Sequence, residues 1–125
     1  MATRGTIAVQ HTNGTVSQVY THWDNHLGGT GQLLLDCYNT LELAESLVSG
    51  GDISKVDEDV ASTVYYGRDR FEEDTEPRVF ACLDSYNKDM LGEEYNYLFT
   101  AGQWTVEHLH TGGEYISLTN AVFWA

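Results

Sequence analysis

A chain of 125 residues with 42% hydrophobic content has the length of one domain and the apolar supply for its own core, which argues against wholesale disorder or several modules. Nineteen acids against six bases leave a net charge of −13, a balance repelled by nucleic acid and by anionic lipid. Two cysteines are too few for a disulfide framework, and no apolar run reaches the ~20 residues of a membrane-spanning helix.

The first 24 residues read as a β-hairpin. Thr6–Gln10 alternates with Ile7 and Val9 on one face, and Thr15–Tyr20 is a second strand-like run. Asn13-Gly14 lies between them and signals a type I′ turn, because both residue types accept the positive φ it demands. His22-Trp23-Asp24 ends the hairpin. Asp24 is suited to cap the following turn while Trp23 plugs the helix–sheet seam; the alternative is a recognition corner with Trp23 as interface anchor. Leu27–Gly31 is a glycine-rich bend, in which no lysine follows to complete a phosphate loop.

Two short helices come next. Gln32–Tyr38 is the first. The second is capped by Asn39 or Thr40 and stopped by Gly50-Gly51, with Leu43, Leu47 and either Ser46 or Val48 in its inward stripe. Val60–Tyr66 is β-branched and aromatic, predicting a strand, and the charged segment Gly67–Pro77 predicts a surface loop. Val79–Leu83 starts a strand or helix. A second hairpin turns about Ala101-Gly102 between Tyr95–Phe99 and Gln103–Leu109, and a further strand spans Glu114–Leu118. The expected fold is therefore α+β: a mainly antiparallel sheet of five to six strands with a pair of short helices packed on one face.

Cys37 and Cys82 sit among apolar neighbours, the setting of buried, inert thiols. His22 and His26 straddle a strand end, which is no helical metal pair, and no nucleophile motif is present. The expectation is a protein that is not an enzyme and needs no cofactor or metal. The start of the chain lacks the basic flank and apolar stretch of a signal peptide, so the expected location is cytoplasmic.

Thirteen of the nineteen acids fall between Asp52 and Glu94. Asp57, Glu58, Asp59, Asp69, Glu72, Glu73, Asp74 and Glu76 form the densest stretch, diluted by Arg68, Arg70 and Arg78. Carboxylates so placed can stand in for nucleic-acid phosphates before a basic channel. A plain solvated face is the other reading.

The hairpin ending in Tyr20-Thr21-His22-Trp23-Asp24, the bend Tyr38-Asn39-Thr40, the run Tyr66–Arg70, and Glu94–Phe99 with Gly102-Gln103-Trp104 resemble a family of small uncharacterised proteins of bacteriophage and prophage genomes. The chain departs from that pattern at Asn25-His26, where the family tends to carry a glycine and an aromatic residue. The resemblance implies a phage-encoded accessory protein and assigns no functional residue. With it, the acidic stretch predicts an inhibitor of a bacterial defence or nucleic-acid-handling complex, of which an anti-CRISPR protein is the most concrete form. The partner would be a host complex with a basic nucleic-acid-binding surface. Trp23, Tyr65, Tyr66 or Trp104 would supply the apolar anchor, and homo-oligomers are compatible with this reading. Two alternatives remain: a sponge for a small nucleotide signal, and a structural or regulatory phage component.

Overall fold

Strand β1 (Gly5–Gln10) is buried along nearly its whole length, as befits a strand covered on both faces. The computed structural model describes residues 2–124 and places β1 at the centre of a mixed eight-stranded sheet. Its partners are β2 (Val16–Thr21), antiparallel, and β6 (Tyr95–Thr100), parallel. Beyond β2 lie β3 (Ile53–Lys55) and β4 (Val64–Tyr65); beyond β6 lie β7 (Gln103–His108) and β8 (Ile116–Ser117). β5 (Arg78–Phe80) pairs with the start of β2, alongside β3 rather than past it.

The sheet is thus larger than expected and mixed rather than mainly antiparallel. β3 joins β2 in parallel through Thr21 and Ile53, and a three-residue strand is too short to leave an alternation in the sequence.

Alternation along β1 and β6 builds two cores. Ile7, Val9, Tyr97 and Phe99 point to a large cluster that includes Leu34 of α1 (Gln32–Cys37), Ala44, Leu47 and Val48 of α2 (Leu41–Ser49), and Leu118 of α5 (Leu118–Trp124). Ala8 and Leu98 point the other way, to a smaller cluster with Val16 and Tyr86 of α4 (Leu83–Asp89). Helices therefore cover both faces, not one. Thr40 caps α2, its Oγ1 accepting from the Leu43 amide at 3.2 Å. That start puts Ala44, Leu47 and Val48 on the sheet and turns Leu43 outward, 44% exposed, instead of inward as predicted.

Only Val64 and Tyr65 of the predicted strand Val60–Tyr66 join the sheet. The residues before them are drawn into a turn by local hydrogen bonds: Asp59 Oδ1 accepts from the Ser62 amide (2.7 Å), and the buried Thr63 Oγ1 donates to the Asp59 carbonyl (2.9 Å) and accepts from the Asp57 amide (3.0 Å). These side-chain bonds offer the backbone an alternative to the ladder, which β-propensity does not register. Tyr66 opens α3 (Tyr66–Arg70), a short helix inside the predicted loop.

The turn of the first hairpin differs from expectation, while the second turns at Ala101-Gly102 as expected. Asn13-Gly14 sits in a longer loop in which only Gly14 has positive φ, and Asn13 Oδ1 accepts from the Thr15 amide. The two-residue turn with both φ positive is Ala101-Gly102, between paired Thr100 and Gln103.

Candidate functional site

At the β3–β4 end of the sheet, the chain between β3 and β5 carries all eight predicted acidic residues, and every one of them is exposed. They lie on two segments: 57–59 before β4, and 69–76 from α3 to the loop after it. Arg68 joins the two. Its guanidinium donates to the carbonyls of Val60 (2.8 Å), Ala61 (3.2 Å) and Thr63 (2.6 Å), and pairs with Asp69 at 2.9 Å. The hydrogen bond from Arg68, with a second from the Tyr65 amide, holds the Asp69 carboxyl below the usual carboxylate range. Hydrogen bonds from Ser62 do the same for Asp59. Among the described residues, Asp57, Glu58, Asp59, Glu72, Glu73, Asp74 and Glu76 form no ion pair. The structure thus brings the predicted acids to one end of the sheet, and it takes Asp69 out of the outward-facing set by pairing it with Arg68.

The second acidic segment is tied to the body of the protein by the Asp52 amide, which donates to the Thr75 carbonyl at 2.8 Å. Gly51, at φ +88°, lies so close beneath that a Cβ there would stand 2.3 Å from the same oxygen. Asp52 itself is half-buried. Burial pushes its carboxyl up, although its Oδ1 accepts from the Tyr20 amide.

The predicted aromatic anchors divide. Tyr65 is 0% exposed and its hydroxyl donates to the Leu47 carbonyl at 2.6 Å, so it is a core residue and offers no contact surface. Trp104 is equally internal, its Nε1 donating to the Tyr38 carbonyl. Both were drawn inward because each polar tip found a buried carbonyl. Tyr66 is half-buried with Arg70 over its ring at 5.3 Å. Trp23 does not plug a seam: it is 42% exposed, edge-on to His22, beside an Asp24–Lys55 pair at 3.6 Å.

Sequence reasoning missed Phe71. It follows α3 with φ +57° and is 87% exposed, flanked by Arg70 and the Glu72-Glu73-Asp74 run. A β-carbon-bearing residue in the left-handed region costs roughly 1–2 kcal/mol. The only available signal was a lone apolar residue within a charged run.

The remaining chemistry is modest. Cys82 is exposed rather than buried, because it precedes α4 at the surface; hydrogen bonds with Ser85 lower its thiol pKa. Burial raises that of the half-buried Cys37. His11 bridges Glu45 and Ser17, and His22 Nδ1 meets the Tyr20 hydroxyl. Among the described residues no group of three or more His, Cys, Asp or Glu side chains is placed to hold a metal ion. The glycine bend turns its amides inward: Gly29 and Gly31 donate to the His26 carbonyl, and Thr30 to that of Asp24. No helix is long and apolar enough to cross a membrane among the described residues. Comparison with family models, curated proteins and solved structures finds no match for this chain.

Proposed function

We propose that this protein is a phage-encoded inhibitor that binds a basic, nucleic-acid-handling surface of a host defence complex, in the manner of an anti-CRISPR protein that mimics nucleic acid. The observation that carries this reading is the set of seven exposed carboxylates without an ion pair, on two segments joined through Arg68 at one end of the sheet. Fixed carboxylates of this density attract a lysine- and arginine-lined channel and release its counterions as phosphates do. Phe71, exposed beside Glu72, Glu73 and Asp74 in the chain, and the exposed Trp23 would supply apolar contact that a purely electrostatic encounter lacks. The phage context is supported by the resemblance of the hairpin ending in His22-Trp23-Asp24.

The test is affinity capture with the tagged protein from bacterial lysate that contains intact CRISPR and other defence systems, washed at low and high salt. The expected result is a stoichiometric nucleic-acid-binding complex that is released by salt and competed by DNA or RNA. Changing Glu72, Glu73 and Glu76 to Gln together should weaken that capture and flatten its salt dependence. Capture that is indifferent to salt and to these changes sinks the mimic reading.

A further inference from the structure

The opposite end of the sheet holds a recess that the acidic-face reading does not use. Where β6 begins and β7 ends, two adjoining cavities of about 620 Å³ and 430 Å³ share Tyr95, His108 and His110. One half is walled by Leu27, Ile116 and Ala121 and is apolar. The other is lined by Glu93, Glu94 and Glu107; none forms an ion pair among the described residues, and Glu107, on the opposite strand face from His108, accepts from Asn96 Nδ2 through its Oε1. Such a rim repels phosphate and carboxylate, so a nucleotide is the wrong ligand for it.

His108 is the informative side chain. It is 9% exposed and its ring stacks on Tyr95, with centroids 5.2 Å apart and planes 27° from parallel. Nδ1 accepts from the His110 amide at 3.4 Å, which leaves the imidazole proton on Nε2. Burial, then the neighbouring His110, lower its pKa and keep the ring neutral at pH 7. Nε2 has no hydrogen-bond partner among the described residues. The His108 ring lines both cavities, so its Nε2–H is a donor open to an acceptor that enters the recess.

We propose that this cleft binds a small organic cation: an ammonium group held by the glutamate rim, carried on an aromatic or apolar body packed against Tyr95 and Leu27, with an oxygen that accepts from His108 Nε2. A protonated amine is attracted to the carboxylates and to the face of Tyr95, and the apolar half excludes water around its body.

The probe is tyramine, followed by amide chemical shifts of the whole protein in an NMR titration. The control is 4-hydroxyphenylacetate, which keeps the ring and hydroxyl and replaces the amine with a carboxylate. Saturating shifts confined to residues 93–95 and 107–111 with tyramine, and none with the control, are the expected result. Glu94→Gln, on the exposed rim, should weaken tyramine binding about fivefold or more without disturbing the fold, and His108→Gln should do likewise. Equal response to both compounds, no saturation at millimolar tyramine, or full affinity in Glu94→Gln overturns the proposal. Changing Glu72 and Glu73 should leave the titration untouched, so this inference and the proposed inhibitor function fail separately.

Discussion

At the β4 end of the sheet, carboxylates stand on exposed segments whose backbone is held by Arg68, Thr63 and Asp59; at the β8 end, Glu93 and Glu94 rim a recess floored by stacked Tyr95 and His108. Both ends are acidic, but the chemistry that follows differs. Charge on exposed segments projects a field that only a large, oppositely charged surface can cover. Charge around a recess selects a small molecule by size and sign. The contrast teaches that net charge alone, −13 here, says little about function until the fold assigns each carboxylate a shape to act through.

The comparison can be broken first at the foot of the β4 end. Tyr65 is fully buried, and a Cβ on Gly50 would lie 2.3 Å from its ring. Tyr65→Ala should cost about 3–5 kcal/mol in urea unfolding, the usual range for deleting a core aromatic; a loss below ~1 kcal/mol would show that the acidic end is not anchored through this ring.

Phe71→Gly should act with the opposite sign. It removes the left-handed strain at φ +57° and little buried surface, so stability should rise by about 1 kcal/mol in the same measurement, while capture of a basic partner weakens. Rising stability with unchanged capture would separate Phe71 from recognition.

Arg68→Ala sharpens the comparison locally. Hydrogen exchange at the amides of residues 57–63 should accelerate, since three of that segment's carbonyls lose their donor, while amides of β6 and β7 keep their protection. Uniform acceleration across both ends would mean that they open as one unit.

The smallest effect is one of pH at the β8 end. The folded pKa of His108 lies below its ordinary value near 6.5, so above that pH the ring is neutral in both states and contributes no slope. As pH falls below about 6.5 the unfolded chain takes up the proton first, and stability declines before most carboxylates titrate. Melting temperature followed from pH 7 to 5 should show this decline, and His108→Gln should remove its share of it.

Hairpins, the capped α2 and the acidic stretch were legible because each rests on local chemistry: alternating Ile7 and Val9, Thr40 before Leu41, a run of carboxylates. Residue preference predicts the type I′ turn at Asn13-Gly14, yet it is two-residue pairing that imposes it, and the ladder closes tightly at Ala101-Gly102 instead. β3 was illegible because a three-residue strand has no period. The sequence offers Tyr65 and Trp104 as surface anchors, since it does not show which tyrosine hydroxyl or indole N–H will meet a buried carbonyl. The cleft was wholly hidden, since Tyr95, His108 and Leu27 meet only through the sheet and the bend after β2.

The parallel pairing of β1 with β6 joins Gly5 to Tyr95 in register, and Thr6 Oγ1 donates to Asn96 Oδ1 across the same 90-residue separation. The centre of the sheet therefore waits for nearly the whole polypeptide. A ribosome must release the stretch through Thr100 before β1 gains its second neighbour, and until then one edge of the first hairpin stays unpaired. Closing so long a loop makes folding slow compared with a helical protein of equal size. A net charge of −13 opposes the association of such unfinished chains, whose exposed strand edge would otherwise invite pairing.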